Sequence, residues 1–498
     1  MLYSEEQKAE NMSSKERALW ILGLRPRDRF RKTQLSQVAK RLETLIDRHE
    51  AEKNVTVEEL IGPTKLAVQL LKTSLRGSPI KNDLVKIDST VPKEVRQWLM
   101  STFTPPKSST RSVGESRRKG LKGIVAGISA AIRMEKLTIG KNDLAGFTDD
   151  IKRQLQEIAS WNFDIFEFGK LTGNRPLRYI LYQSLASFDL LGDFKIKGPV
   201  VMNFAARLEE LYLSNKNPYH NDIHAADVTQ ALFSIIELNG AQVWLDNVEL
   251  FAALFAAAIH DVSHTGTTNN FHIMTKSNLA NLYNDRSVLE NFHLTTGFGI
   301  CAKDECNILA GLNDEQFFNF RNIVIDMVLA TDMVFHNEHL FYLSDAKSSP
   351  SFADTTTVLG FMLHSADISH SLRPWKHHEK MVEFLFEEFF LQGDQEAKSG
   401  FPISPLCDRN TLHIPNSQIS FNKYIIEPTF SALTEFFKAA NECLFDENGI
   451  LLEPSENGTG DSLRPGKDTI EEACEGTSLC LLEPPCAAYG RPVTPSAA

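Results

Sequence analysis

An all-α fold is predicted by three features of this 498-residue sequence. Long apolar segments with helical period fill its middle, Gly-Pro breaks are few there, and no stretch sustains a two-residue alternation. Glu249 to Ile259 reads ELFAALFAAAI, a nearly unbroken run of Ala, Leu and Phe that is too long for an ordinary strand. Alanine also favours helix. Phe320 to Leu329 and Phe384 to Leu391 repeat the character. The expectation is a compact multi-helix domain over about 143–446, with a helical N-terminal region before it.

The flanks differ in composition. Residues 1–142 alternate basic amphipathic stretches with polar connectors such as Thr104-Pro105-Pro106-Lys107-Ser108-Ser109-Thr110. One basic stretch, about 20–46, sets Arg25, Arg27, Arg29, Arg31, Lys32, Lys40 and Arg41 among Trp20, Phe30, Leu35, Val38 and Leu42. A second, about 117–137, places Arg117, Arg118, Lys119 and Lys122 ahead of an apolar stripe through Leu121, Ile124, Val125, Ile128 and Ile132. A basic helix with an apolar stripe suits an acidic groove or an anionic membrane surface. It equally suits a surface helix packed on the main domain. Residues 447–498 are rich in Gly, Pro, Ser and Glu with little periodicity, and are expected to be disordered.

Composition removes several classes. A net charge of -12 does not suggest a nucleic-acid binder, which needs a basic stripe. No apolar run reaches the roughly 20 residues of a membrane span. The acidic, polar start is unlike a signal peptide. Seven scattered cysteines without CxxC spacing favour reduced thiols. The expected localisation is cytoplasmic.

Three polar helix ends then stand out. Asn217-Pro218-Tyr219-His220-Asn221-Asp222-Ile223-His224 reads as a helix start, with Asn217 as cap and Pro218 first. That reading puts His220 and His224 on one face. The apolar helix ending at Ile259 runs into His260-Asp261-Val262-Ser263-His264, and Leu359-Gly360-Phe361-Met362-Leu363-His364-Ser365-Ala366-Asp367 repeats the pattern. Singly, each has a bland reading: a surface His pair, an uninformative dipeptide, a helix cap. Jointly, ionisable groups at the ends of helices too apolar for solvent point to a metal, and imidazole plus carboxylate suits Zn, Mn or Mg. The HExxH signature is absent, because Asn221 follows His220.

The order His224, His260-Asp261, Asp367 resembles the HD superfamily of metal-dependent phosphohydrolases. The strings YHNDIHAADVTQ (219–230), HDVSHTGTTNNFH (260–272), LENFHL (289–294), ATDM (330–333), HSADISH (364–370) and SQISF (417–421) resemble class I 3′,5′-cyclic nucleotide phosphodiesterases. Within that class, YNDRSVLEN (283–291), EEFFLQGD (387–394), SPLCDR (404–409), IEPTFSALTEF (426–436) and VPKEVRQWLMSTFT (91–104) resemble the calcium/calmodulin-dependent subfamily. The resemblance runs from about 54 to 446.

It implies roles position by position. His224, His260, Asp261 and Asp367 match the ligands of a Zn²⁺ ion, and Asp261 is shared with a second ion, Mg²⁺ with Mn²⁺ as an alternative. His264, Glu290 and Thr331 match residues that hold the second ion's waters. His220 matches the proton donor to the leaving oxygen. Tyr219, His370, Leu385, Gln418 and Phe421 match the substrate pocket, with Gln418 on the purine edge and Leu385 and Phe421 on its faces. The implied reaction is hydrolysis of cAMP and cGMP to nucleoside 5′-monophosphates by a hydroxide bridging two metals. Ca²⁺-calmodulin is the implied partner, acting through the basic stretches. A homodimer is an assembly the resemblance allows.

Val262, Ser263 and Phe292 depart from the subfamily's pattern, and none is an expected metal ligand. Two alternatives differ in class: another HD phosphohydrolase, or a non-catalytic calmodulin-binding scaffold. Gln418 and Phe421 argue against the first. The intact set of His220, His224, His260, Asp261 and Asp367 argues against the second.

Overall fold

The computed structural model describes residues 147–348, 350 and 353–444, together with the isolated positions 93, 96 and 97. Both basic stretches and the tail beyond 447 lie outside the described residues. Among the described residues the regular structure is helical and there is no β-strand, as expected. No helix among them is long and apolar enough to cross a membrane.

The chain first lays down α1 (Asp149–Leu155), α2 (Ile165–Leu171), α3 (Leu177–Ser187), α4 (Leu190–Asp193) and α5 (Gly198–Tyr212). The centre follows as α6 (Asp222–Leu238) and α7 (Asn247–Ile259). Short α8 (Asn269–Met274) and α9 (Asn278–Leu282) lead to α10 (Val288–Ile300), α11 (Asp314–Leu329), α12 (His336–Ala346) and α13 (Thr355–Asp367). The long α14 (Trp375–Lys398), then α15 (Ile414–Phe421) and α16 (Glu427–Leu444) complete the described chain.

The run ELFAALFAAAI lies within α7, and every residue from Leu250 to Ile259 is buried. A helix apolar all round must be enclosed by others. Here α6, α11 and α13 pack on it. Phe320 of α11 supplies one contact, its ring centroid 4.9 Å from Phe251 and 5.2 Å from Phe255. The start of α7 is fixed by a capping box between Asp246 and Glu249. At Gly297 of α10, a Cβ would stand 2.7 Å from Ile259 Cδ1, so that crossing requires glycine.

One expectation fails at the start of α6. The helix begins at Asp222, not Pro218, and its cap is Asn221, whose Oδ1 accepts from the Ile223 and His224 N–H groups at 3.0 and 3.4 Å. The Tyr219 and His220 N–H groups donate instead to Glu388 Oε2 of α14, at 2.9 and 3.0 Å. His220 therefore lies on a loop and does not share a helical face with His224. The distant carboxylate overrides the local cap signal of Asn217.

Candidate metal centre

Three mutually packed helices aim their ends at one point. His224 sits in the first turn of α6, His260 caps the C-terminus of α7, and Asp367 is the last residue of α13. Asp261 follows in the turn after α7. Its N–H donates to Tyr212 Oη at 3.1 Å, and that hydroxyl donates to the Ala258 carbonyl at 3.1 Å. Two helix C-termini thus converge, and their exposed carbonyl dipoles favour a cation.

The four side chains meet tightly. His224 Nε2 lies 3.1 Å from Asp367 Oδ1 and 3.4 Å from Asp261 Oδ2. His260 Nε2 lies 3.4 and 3.3 Å from the same two oxygens, and 3.2 Å from His224 Nε2. Donor atoms 2.0–2.1 Å from one tetrahedral ion stand roughly 3.3–3.4 Å apart. The spacing therefore fits one divalent ion. His260 Nδ1 donates to the Ala257 carbonyl at 2.8 Å, which fixes the tautomer with Nε2 free to ligate. His224 and His260 are enclosed, whereas the Asp261 and Asp367 side chains keep 13% and 21% exposure, so the carboxylates form the open side. Burial pushes both carboxyls up, yet the facing imidazoles hold them below the usual carboxylate range. A field that keeps two buried carboxylates charged is suited to a cation.

His220 and its neighbours form a second group. The His220 ring stacks on His264 with centroids 3.9 Å apart, and its Nδ1 donates to Glu388 Oε1 at 2.5 Å. His220 Nε2 faces the centre, 3.8 Å from Asp261 Oδ2. Burial opposes a charge on His220, but Glu388 outweighs it and the group titrates at about 9. His264 goes the other way: burial and the His220 charge push it well below its ordinary value, and its Nδ1 accepts from the Gly266 N–H at 3.0 Å. His220, His264 and Glu388 lie close enough to be considered a metal group themselves. The hydrogen bonds argue otherwise, because His264 Nδ1 already accepts from the Gly266 N–H and His220 Nδ1 already donates to Glu388. A proton shared between His220 and Glu388 fits this geometry better.

The remaining expected residues distribute as follows. Glu290 is buried on α10, and both its oxygens accept from Asn269 Nδ2, at 3.1 and 3.0 Å. Burial, then the Asp332 charge, push its carboxyl well up. The Thr331 hydroxyl closes the last turn of α11 by donating to the Val328 carbonyl at 2.8 Å. The Tyr219 ring lies 4.6 Å from that of His224 and 6.0 Å from that of His370. His370 stacks on His378 with their Nδ1 atoms 3.1 Å apart, and burial lowers it to about 3. Leu385 on α14 and Phe421 at the end of α15 are half-buried and pack against the core. Gln418, on the same α15, has a buried Oε1 with no hydrogen-bond partner in the protein. A π-turn, Asn422–Ile426, follows Phe421 and packs on the turn Ser369–Leu372 that follows Asp367. Wide turns of this kind recur at functional sites.

Two residues at this centre were missed in the sequence. Glu388 enters the sequence reading only within the string EEFFLQGD, although it falls on the stripe Met381-Leu385-Glu388-Gln392, which marks it as inward-facing. His293 Nδ1 donates to the Val262 carbonyl at 2.8 Å, leaving a buried, unpartnered Nε2 at 3.5 Å from Asp261 Oδ1. Burial holds it neutral, at about 4. That orphaned acceptor beside Asp261 fits a bound water.

The profile of the 3′,5′-cyclic nucleotide phosphodiesterase family matches residues 219–447. The dual specificity calcium/calmodulin-dependent 3′,5′-cyclic nucleotide phosphodiesterase 1C of Mus musculus is 40% identical over 388 residues, 76% of this chain and 53% of the relative. The 1B enzyme of Homo sapiens is 40% identical over 382 residues, 76% of this chain and 70% of the relative. The 1B enzyme of Bos taurus is 41% identical over 370 residues, 74% and 68% respectively. The chain spans about half the length of the 1C relatives it matches. The chain belongs to the 3′,5′-cyclic nucleotide phosphodiesterase family.

Proposed function

We propose that this protein hydrolyses cAMP and cGMP to their nucleoside 5′-monophosphates and is stimulated by Ca²⁺-calmodulin. The observation that carries the catalytic reading is the His224, His260, Asp261, Asp367 cluster, whose donor atoms are spaced for one divalent ion. The relatives' printed specificity supports both substrates and the calmodulin dependence. Residues 143–446 would be the catalytic domain, and 1–142 the regulatory region with its two basic stretches. A cytoplasmic location agrees with the absence of a membrane-spanning helix among the described residues.

The four clustered residues would hold Zn²⁺, and Asp261 would also hold Mg²⁺ on its open side. Bound there, the ions supply Lewis acidity, making a water a better nucleophile and neutralising charge on the phosphate oxygens. The chain's own groups do the rest. His220, kept protonated by Glu388, gives its Nε2 proton to the 3′ oxygen as the P–O3′ bond breaks. Glu388 also pins the loop through the Tyr219 and His220 N–H groups, so the donor stays oriented. His264, Glu290 and Thr331 would order water near Asp261. Gln418 would use its unpartnered Oε1 to accept an N–H of the base, between Leu385 and Phe421, beside Tyr219 and His370.

The test is hydrolysis of cAMP and cGMP with Mg²⁺, with and without Ca²⁺-calmodulin. Turnover of both that rises with calmodulin is expected. In Asp367→Ala, loss of bound metal and of turnover should coincide, with the far-ultraviolet dichroism unchanged. Full turnover in that variant would remove Asp367 from the site.

A further inference from the structure

We propose that a second cavity, set apart from the nucleotide clamp, binds a small aromatic anion. It lies between α2, the loop that carries His220, the first turn of α6 and the Lys380–Phe384 stretch of α14, and its volume is about 260 Å³. Small-molecule clefts begin near about 300 Å³, so this one suits a single or fused ring and little more. Gln418, Phe421, Leu385 and His370 do not line it; Tyr219 and the metal-centre residue His224 are among its lining residues, so it adjoins the centre without including the nucleotide clamp.

The walls are aromatic and apolar. Phe166 of α2 and Phe384 of α14 meet edge to face at 6.2 Å, and Met381 continues the same surface. The rim is cationic. Lys380 projects its ammonium 4.6 Å from the Phe166 ring centroid, and Lys170 stands on α2. Among the described residues Lys380 makes no ion pair, while Lys170 pairs with Glu167 at 2.8 Å on the solvent side. No carboxylate lines the cavity. Aromatic walls ask for a flat apolar body, and an ammonium with a ring contact but no ion-pair partner among the described residues asks for a negative charge at the mouth. A neutral ring would leave Lys380 without a counter-ion, and a non-aromatic anion would leave the ring edges uncovered.

The probe is 2-naphthoate, titrated into the full chain and followed by calorimetry and ligand-observed NMR. One saturable site per chain is expected. Lys380→Glu, a change at an accessible side chain, should weaken it roughly tenfold or more, the equivalent of about 1.4 kcal/mol. Uncharged 2-naphthalenemethanol should bind the wild type correspondingly less well. A phosphorothioate analogue of cAMP in excess should not displace the naphthoate. Equal affinity in Lys380→Glu, displacement by the analogue, or no saturation at millimolar probe would each overturn the proposal. The outcome is independent of turnover, so loss of the catalytic reading would leave this test intact.

Discussion

Glu388 divides its carboxylate between two tasks on one loop: Oε1 accepts a hydrogen bond from the His220 ring Nδ1–H at 2.5 Å, and Oε2 accepts one from the His220 backbone N–H at 3.0 Å. The same residue thereby sets the charge of His220 and its position. Because Glu388 belongs to α14 and His220 precedes α6, this arrangement couples segments 168 residues apart.

The pH profile should report that pairing. A proton donor acts in its protonated form, so turnover should fall as pH rises through the His220 pKa, near 9 in the metal-free protein. Divalent ions would offset Asp261 and Asp367, two of the charges that raise it, and draw the limb lower. Glu388→Gln removes the largest favourable charge, and the alkaline limb should move down by roughly one to three pH units. An unmoved limb in kcat would detach Glu388 from this role.

Gln418 offers a separable test of base recognition. Its buried Oε1 has no partner in the protein, so a ligand N–H is its natural complement. Gln418→Ala should lower kcat/KM for both nucleotides by roughly tenfold to a hundredfold, the worth of about 1–3 kcal/mol. Bound metal, measured by atomic absorption, should stay at the wild-type level.

A buried cation braces the centre from below. Arg373 follows Asp367 by six residues and donates to the Trp161 carbonyl at 2.7 Å, to Gln230 Oε1 at 2.5 Å and to Asp227 Oδ1 at 3.3 Å. Asp227 lies one turn beyond His224 on α6, and His377 Nε2 is 3.4 Å from its other oxygen. Arg373→Met strands a buried carboxylate and should cost about 3–5 kcal/mol in denaturant unfolding. The double change Asp227→Asn with Arg373→Met should cost less than Arg373→Met alone.

Acid should destabilise the fold early. His336 and His364 are buried with Nδ1 and Nε2 2.9 Å apart, and burial lowers them to about 2 and about 4. The unfolded chain takes up these protons near the ordinary histidine value of about 6.5 while the folded chain refuses them. Stability is therefore full above that pH and drains as pH falls toward 4, by up to about 1.4 kcal/mol per pH unit for each group. The urea midpoint followed from pH 8 to pH 4 should show this, and His336→Asn should flatten the slope by one proton.

Helical class, the central position of α7 and the four clustered residues were legible in the sequence. Apolar runs such as 249–259 leave no alternative to burial, and three ionisable groups at Ile259's exit demand compensation wherever the chain goes. Local pattern failed at Asn217-Pro218, where a good cap signal was overruled by Glu388 capturing two backbone N–H groups. It was silent on His293, on the Asp227-Arg373 pair and on the parallel stacking of His220 and His264. Each of these depends on which side chains from remote segments arrive together. Periodicity fixes what a helix must bury; only the packing of α6, α7, α13 and α14 decides which buried polar atoms meet, because those contacts join residues that share no local pattern.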